Sequence, residues 1–274
     1  MSVQTLAAWL RCPNCVAELT DAGPQVLGCA NGHRFDVNRR GYVTLLPPRS
    51  RVVGDSAGML DARAELLASG AYAPIRDALI AAVRPFEPRK VLDSGTGTGW
   101  YLQGLLDALG GGARGLASDL SPAAVARALR GRADVDGLVA DVHAPLPIRD
   151  GVTDAVTVVF APRNPPEFAR LLRPGGVLAV VVPRADHLAE LRAMSPMLDV
   201  PAGKAGALEA SVAPWFSPVS ARHVRYELPL TADRAAQLQG MGPSAHHVGG
   251  ALVDATALPA SVTVSVDVLA FTRR

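Results

Sequence analysis

The chain has 274 residues, enough for one large domain or for one domain with a small appendage. Its 49% hydrophobic and 19% charged residues can bury a sizeable core, which excludes a mainly disordered protein. The net charge of +2 neither requires nor excludes a nucleic-acid partner. No apolar run approaches the roughly 18 residues of a membrane span, and no basic leader precedes the first apolar stretch. We therefore expect a cytoplasmic enzyme with no membrane partner.

All three cysteines lie within the first thirty residues. Cys12 and Cys15 form a C-x2-C pair, and thirteen residues later Cys29 and His33 form a C-x3-H pair. This spacing is typical of a tetrahedral Cys3His zinc site. Because four protein ligands close such a site, the sequence predicts one structural zinc ion rather than a catalytic one.

The cysteines belong to a predicted zinc-binding β module over residues 1–50. Apolar residues near 26–27 and 34–37 indicate two of its short strands, and the proline-rich stretch 47–51 is interpreted as a linker. The module is basic, so it could serve as an RNA grip, as a dimer contact or as a simple staple. The catalytic domain would then cover residues 51–274.

The rest of the chain alternates helices with strands. Helical spacing indicates helices at 57–68, 74–84, 100–109, 122–130, 165–172, 186–194 and 231–240, and apolar runs indicate strands at 90–93, 115–119, 137–141, 155–160, 177–182, 223–230 and 261–272. This alternation predicts an α/β fold with a mostly parallel seven-stranded sheet and an antiparallel edge. The stretch 195–221 has no clear pattern, and the pair His246-His247 is interpreted as part of a surface or RNA-facing loop.

A glycine-rich turn, Asp93-Ser94-Gly95-Thr96-Gly97-Thr98-Gly99, joins the strand at 90–93 to the following helix. Its glycines allow a ligand to lie against the main chain with no Cβ in the way. Asp119 and Asp141 end the next two strands, where they could contact ribose hydroxyls and an adenine edge, with Val142 against the ring. Helix capping is the alternative role for Asp119. Asp93 either binds the cofactor's amino group or braces the turn.

The cofactor that this turn indicates is S-adenosylmethionine. Its glycines are one position out of register with the dinucleotide fingerprint G-x-G-x-x-G, and Asp93 would repel a pyrophosphate. S-adenosylmethionine has no phosphate and carries an already activated methyl group, so the protein mainly has to position the reactants. The pattern predicts a Rossmann-like class I methyltransferase; a dehydrogenase is a distant alternative.

Further motifs resemble those of a known family. Besides the cysteines and the glycine turn, they are Phe35-Asp36, Gly41-Tyr42-Val43, Gly54-Asp55-Ser56, Ala62-Arg63, Gly70-x-Tyr72, Phe160-Ala161-Pro162, Pro174-Gly175-Gly176, His187-Leu188 and Met241-Gly242-Pro243. Over nearly its whole length the chain resembles the RlmA-type bacterial 23S rRNA (guanine-N1)-methyltransferases. The segment 160–164 is closer to the branch that protects tylosin and mycinamicin producers.

The resemblance implies a substrate, an assembly and a set of site residues. The methyl acceptor would be N1 of a guanine in a 23S rRNA hairpin loop near the macrolide site of the peptide exit tunnel. Two copies would form a homodimer with a basic cleft across the zinc modules. The expected cofactor-binding residues are Tyr72, Asp93, Gly95, Thr96, Gly97, Thr98, Gly99, Asp119, Leu120, Asp141, Val142 and His187, and the expected metal ligands are Cys12, Cys15, Cys29 and His33.

The expected catalytic residues are Phe160, Ala161, Pro162 and Asp55. The first three follow a strand at the point where the acceptor should meet the methyl group, so their backbone carbonyls could orient the guanine. Guanine N1 must lose its proton as the methyl group arrives, which requires a base. Asp55, Asp141 and Glu167 are the acidic candidates, and no pattern selects among them.

The next residues, Asn164-Pro165-Pro166, are similar to an N-P-P-aromatic motif of amine methyltransferases, but Glu167 replaces the aromatic residue. We therefore interpret Asn164 as the cap of a helix that begins with the prolines. The chain also differs from the family in an N-terminal extension up to Arg11 and in a late region that is poor in aromatic residues. Two other functions stay open: a methyltransferase for a small molecule such as a quinone or polyketide, and a non-catalytic, cofactor-binding, RNA-associated protein.

Overall fold

The structure, a computed structural model, describes residues 3–46, 54–194, 197–241 and 258–274. The predicted linker at 47–51 and the pair His246-His247 lie outside the described residues. Within the described ranges no single helix is long and apolar enough to cross a membrane. One bent pair of helices, Ala57–Ala68 with Ala73–Phe86, meets the length and composition criteria only when the two are taken together.

The N-terminal part contains a small antiparallel sheet, as predicted. Its elements are helix α1 (Val3–Ala7) and strands β1 (Thr20–Asp21), β2 (Val26–Gly28) and β3 (Arg34–Asp36), with β2 between the other two. The extension up to Arg11 forms α1 and a bridge from Leu10 to Ile148 of the main domain. The extension therefore attaches the small sheet to the rest of the molecule.

The main domain is an α/β sandwich. Its strands are β4 (Tyr42–Thr44), β5 (Lys90–Ser94), β6 (Arg114–Asp119), β7 (Val135–Val139), β8 (Thr153–Val159), β9 (Leu172–Pro183), β10 (Phe216–Pro229) and β11 (Ser261–Arg273), and its helices are α2 (Ala57–Ala68), α3 (Ala73–Val83), α4 (Trp100–Leu109), α5 (Pro122–Ala128), α6 (Pro165–Leu171), α7 (Ala189–Arg192), α8 (Lys204–Val212) and α9 (Ala232–Gly240), with a 3-10 turn at Arg84–Phe86. Strands alternate with helices through β9, except that β8 follows β7 without a helix between them, so the predicted α/β class is correct.

These eight strands form one sheet in the order β10-β11-β9-β8-β5-β6-β7-β4. All neighbours pair in parallel except β11, which is antiparallel to both β9 and β10. The strand order reverses between β5 and β8, so a crevice opens at their carboxyl ends, where α/β sheets of this kind bind ligands.

The described part of the sheet has one strand more than the predicted seven. The additional strand is β4, from the segment assigned to the zinc module, and Tyr42 on it pairs with Gly137 on β7. A Cβ at Gly137 would lie 2.6 Å from the Cβ of Tyr42, so the glycine allows the edge strand to approach. Helix α8, in a stretch without a clear pattern, was not predicted either, nor were the short helix α1 and strand β1 of the N-terminal part.

The two faces of the sheet bury two apolar clusters. One includes Val91, Ala117 and Val159 with helices α3 and α4, and the other includes Leu92 and Leu116. The second cluster also contains side chains of the N-terminal part: Leu6, Trp9, Leu10, Leu19 and Leu27. The zinc-bearing segment and the sheet therefore share one hydrophobic core.

Polar contacts reinforce this attachment. The guanidinium of Arg149 donates to the carbonyls of Leu10, Ala7 and Leu19 at 2.9, 3.0 and 2.8 Å. The indole of Trp9 donates to the fully buried Asp136 at 3.0 Å. Because each of these carbonyls lies in the N-terminal segment, the segment is held in one orientation relative to the sheet.

Candidate functional site

The glycine turn lies at the carboxyl end of β5 and is braced by Asp93. This carboxylate is 3% exposed, and its two oxygens accept hydrogen bonds from the hydroxyls of Thr96 and Thr157, both at 2.7 Å. Burial raises the pKa of Asp93 to about 6. These contacts correspond to one of the two roles considered for Asp93, that of bracing the turn.

The three glycines of the turn all adopt positive φ, at 76° for Gly95, 53° for Gly97 and 79° for Gly99. A Cβ at Gly95 would lie 2.4 Å from the Cβ of Ala161, and one at Gly99 would lie 2.6 Å from the Cα of Ala128. Neither position can accept a side chain without movement of its neighbour. The close approach at Gly95 places the 160–162 loop directly against the glycine turn.

Asp119 connects the glycine turn with the start of helix α5. Its oxygens accept hydrogen bonds from the backbone N–H groups of Gly97 and Ser121, both at 2.9 Å. The capping bond of α5 comes from Ser121, whose hydroxyl accepts from Ala124. Each carboxylate oxygen of Asp119 has a further lone pair, so these contacts leave room for ribose hydroxyls.

Asp141 lies two residues beyond the end of β7, in a turn rather than on the strand as predicted. Its carboxylate accepts from the backbone N–H of His143 at 2.9 Å. The carbonyl of the neighbouring Val142 accepts from the side-chain amide of Asn164 at 2.8 Å. Asn164 precedes α6 but makes no side-chain capping bond, so its predicted capping role is wrong. It instead ties the 160–164 loop to the turn that contains Asp141.

Three rings surround the carboxyl end of β8: Tyr72, Phe160 and His187. Their centroids lie 6.2 Å apart for Tyr72 and Phe160, 6.3 Å for Tyr72 and His187, and 5.9 Å for Phe160 and His187. Phe160 has a φ of 53°, an unfavourable backbone angle for a phenylalanine, and its side chain is 40% exposed. The strained turn therefore presents an aromatic ring to solvent beside the glycine turn.

His187 is held as a neutral imidazole. It is 8% exposed, and its Nδ1 accepts from the backbone N–H of Ser265 at 3.2 Å. Burial lowers its pKa to about 4. The proton therefore resides on Nε2, which can donate to a ligand.

The acidic candidates for the base differ in their surroundings. Asp55 forms an ion pair with Arg63, and its carbonyl accepts from the hydroxyl of Ser121 at 3.1 Å. Glu167 accepts from Arg170 and from the backbone N–H of Leu146, so its carboxylate is committed to structure. Asp55 thus lies on the α5 side of the glycine turn, whereas the 160–162 loop contacts the turn at Gly95.

Three site residues were not predicted: Thr157, Arg63 and Tyr101. Thr157 is the one polar residue within the buried run 155–159 of β8, a pattern that could have identified it. Arg63 lies over Gly97, since a Cβ at that glycine would be 3.0 Å from its Nη1. Tyr101 is the second residue of helix α4, two residues after Gly99, and has a buried hydroxyl.

The four predicted zinc ligands lie together, with their ligand atoms within 4.8 Å of one another. The Sγ atoms of Cys15 and Cys29 are 3.6 Å apart, and Cys29 Sγ is 3.4 Å from Nδ1 of His33. Two thiolates bound to one Zn²⁺ at about 2.3 Å would lie about 3.8 Å apart in tetrahedral geometry. The donor set therefore fits a closed structural zinc site.

Comparisons with known proteins match both the cysteine-bearing segment and the segment with the glycine turn. The zinc-ribbon family model described as "RlmA, N-terminal" matches residues 10–51, and a methyltransferase-domain model matches residues 91–176. The chain is 43% identical over 248 residues to the 23S rRNA (guanine(748)-N(1))-methyltransferase of Streptomyces fradiae, covering 89% of this chain and 88% of that protein. It is 40% identical over 280 residues to a Micromonospora griseorubida protein named for the same guanine-N1 reaction, covering 94% and 95% of the two chains.

Solved structures share the fold at low sequence identity. The MccD protein has a TM-score of 0.51 at 14% identity, over 75% of this chain and 98% of that one. The YcgJ protein of Bacillus subtilis has a TM-score of 0.51 at 17% identity, over 73% and 97%. The cofactors are accordingly S-adenosylmethionine and a structural zinc ion. Because the relatives match almost from end to end, the chain belongs to the RlmA-type 23S rRNA (guanine-N1)-methyltransferase family.

Proposed function

We propose that this enzyme transfers the methyl group of S-adenosylmethionine to N1 of a guanine in a 23S rRNA hairpin loop near the macrolide site of the exit tunnel. We further propose that the modification confers macrolide resistance. The observation that carries the proposal is the near full-length similarity to relatives named for this reaction, combined with an exposed aromatic loop at the glycine turn.

The 160–162 loop supports this acceptor. The exposed ring of Phe160 offers a face on which a guanine turned out of its stack can lie, as single-stranded bases do on aromatic side chains. The carbonyls of Ala161 and Pro162 could then accept from the N–H groups of the guanine edge. The sequence indicates no stacking residue after Asn164-Pro165-Pro166, because Glu167 replaces the aromatic residue of that motif. In this proposal Phe160, at the other end of the loop, is the residue on which the guanine stacks.

A cationic rim next to this loop supports an RNA substrate. Within the described part of the chain, neither Arg163 nor Lys204 makes an ion pair. The pKa of Lys204 is lowered by burial and by the charges of Arg163 and Arg192, so Lys204 lies within electrostatic reach of both. Arg192 in turn donates to the carbonyl of His187 at 3.0 Å. Unpaired cations beside an acceptor site are suited to phosphates of a folded RNA.

The proton of guanine N1 has to leave during methyl transfer. Asp55 is the proposed base, although in this conformation its carboxylate is engaged by Arg63. That pair would have to open before the carboxylate could reach the guanine. Replacing Asp55 by Asn should then lower the rate of methyl transfer more than the affinity for RNA, and equal losses would remove Asp55 from the proposed chemistry.

The assembly is also a proposal. We propose a cytoplasmic homodimer in which the zinc modules of the two copies border the RNA cleft. The predicted division into residues 1–50 and 51–274 is kept as a proposal for the chain's two parts, with strand β4 of the first part completing the sheet of the second. Val16 supports a contact at this place, because it is 60% exposed next to the zinc ligand Cys15. Sedimentation equilibrium of the full chain tests the dimer, and Val16→Asp should weaken it if the module lies in the interface.

Primer extension tests the substrate. N1-methylguanine cannot form a Watson–Crick pair, so reverse transcriptase should stop at one guanine of 23S rRNA only in cells that express the gene. Purified enzyme with labelled cofactor should place the label on the same guanine, and macrolide susceptibility of the two strains tests the resistance role. Labelling of a small-molecule extract without labelling of rRNA would contradict the proposal, and cofactor binding without turnover on either would favour a non-catalytic role.

A further inference from the structure

Two buried tyrosine hydroxyls near the glycine turn, those of Tyr72 and Tyr101, have no hydrogen-bond partner among the residues that the structure describes. Buried hydroxyls are nearly always hydrogen-bonded, and leaving one unpaired costs free energy. A third tyrosine nearby, Tyr226, follows the rule, because its hydroxyl donates to the carbonyl of Ala71 at 2.7 Å. The hydroxyls of Tyr72 and Tyr101 therefore depart from this rule, and a bound ligand that accepts hydrogen bonds from them would account for the departure.

The two hydroxyls belong to the same place. Tyr101 is the second residue of α4, two residues after Gly99 of the turn, and Tyr72 immediately precedes α3. Burial raises the pKa of Tyr101, and the charges of Tyr72, Arg63 and Asp93 act on it as well. Tyr101 thus lies within electrostatic reach of Tyr72, of Asp93 and of the guanidinium of Arg63. The ring of Tyr72 lies 6.2 Å from that of Phe160, and the next residue, Ala161, packs against Gly95 of the turn.

Arg63 completes this group of donors. Two contacts hold its guanidinium in position. Nη1 forms an ion pair with Asp55, and Nη2 donates a hydrogen bond to the carbonyl of Met241 at 2.8 Å. Its Nη1 lies 3.0 Å from the position of a Cβ on Gly97, so it covers the middle of the glycine turn. A guanidinium has five N–H donors, and these contacts leave donors for a ligand.

All three groups can donate hydrogen bonds, and together they carry a positive charge. S-adenosylmethionine has one group that only accepts and is negative, the α-carboxylate; its sulfonium and ammonium are positive. We propose that Arg63, Tyr72 and Tyr101 form the binding site for the α-carboxylate of the methionine part of the cofactor. Arg63 and Tyr101 are then cofactor-binding residues, and Tyr72 contacts the cofactor through its hydroxyl and not only through its ring.

The test compares two ligands that differ in this carboxylate alone. S-adenosylhomocysteine retains it, and S-adenosyl-3-thiopropylamine lacks it while keeping the amine. Calorimetry on the full chain should show that Tyr101→Phe weakens S-adenosylhomocysteine about 10- to 100-fold, the scale of a lost hydrogen bond to a charged group. The same variant should leave the amine ligand within about twofold of the wild-type affinity. Tyr42→Phe, on the edge strand β4, is the matched control and should change neither.

Thermal unfolding gives a second readout. Because the Tyr101 hydroxyl has no partner in the part of the chain that the structure describes, the ligand-free Tyr101→Phe protein should be as stable as the wild type or more stable. S-adenosylhomocysteine should then raise its Tm by less than it raises that of the wild type. Arg63→Gln should act in the same direction on affinity. Equal losses for both ligands, no loss for either, or a lower Tm of the ligand-free Tyr101→Phe protein would each overturn the proposal.

Discussion

The hydroxyl of Thr157 donates to Oδ1 of Asp93 at 2.7 Å, across the junction of β8 and β5 where the two halves of the sheet meet. This bond joins the strand that leads into the acceptor loop to the residue that braces the glycine turn. A single buried threonine therefore couples the geometry of the two halves of the site.

Replacing Thr157 by Val should lower the free energy of unfolding by about 1–3 kcal/mol, because one oxygen of the buried Asp93 loses its donor. Urea denaturation measures this loss. The matched control is Thr272→Val, a half-buried strand threonine that makes no side-chain hydrogen bond within the described residues. A loss as large in the control would show that the bond to Asp93 is not the cause.

Replacing Gly95 by Ala should weaken S-adenosylhomocysteine binding by more than about tenfold and lower the Tm. The new Cβ would lie 2.4 Å from that of Ala161, at a residue whose φ is 76°. Gly151→Ala is the control for backbone strain alone, because Gly151 also has a positive φ, of 61°, but no atom lies within 4 Å of its Cβ position. Adding Ala161→Gly to the Gly95 variant should restore part of the affinity; no recovery would mean that the clash is not what matters.

The stability of the protein should depend on pH through His187. Its folded-state pKa of about 4 lies below its ordinary value of 6.5, so between these values the unfolded chain binds a proton that the folded protein does not. This contribution to stability is complete above pH 6.5 and is lost as the pH falls towards 4, by about 2 kcal/mol at pH 5. The raised pKa of Asp93 acts in the opposite direction over a similar range, so the comparison has to be with His187→Gln. A stability difference between wild type and this variant that is the same at pH 5 and pH 7.5 would contradict the assignment of a neutral, buried imidazole.

Metal analysis should find about one zinc per chain. Chelation, or Cys29→Ala, should lower the Tm of the whole protein in one transition, because Trp9, Leu10 and Leu27 share a core with the central sheet. Calorimetry distinguishes this from local melting. A separate low-temperature transition, with the main transition unchanged, would show that the zinc module folds independently.

Charge reversal at the rim should affect RNA and not the cofactor. Arg163→Glu and Lys204→Glu should each weaken binding of a 23S rRNA hairpin, and the slope of log affinity against log salt should fall by about one for each phosphate that the variant no longer binds. Affinity for S-adenosylhomocysteine should stay the same. Arg84→Glu, between α3 and the start of β5 and so away from the carboxyl ends of the strands, is the control. If all three variants weaken RNA binding equally, the rim has no special role.

Local patterns predicted most of the elements because each depends on neighbours in the chain. The apolar run at 90–93, the Ser121-Pro122 start of α5 and the glycines of the turn each carry their own signal. Strand β4 and helix α8 were not predicted because they depend on contacts with residues far away in the chain. Strand β4 forms where Gly137 leaves room for it, and α8 buries Leu208 and Val212 against β9.

The same division holds for the site. The sequence alone determined the cofactor class and the zinc ligands. The glycine turn and the cysteine pairs are short motifs, and the spacing of their residues along the chain is enough to indicate the ligand that they bind. Only the tertiary structure decided that Asp93 is braced by Thr157, that the side chain of Asn164 ties two loops instead of capping a helix, and that Arg63 lies over Gly97 of the glycine turn. These relationships join residues far apart in the chain, and only the packing of helices on the sheet brings their atoms together.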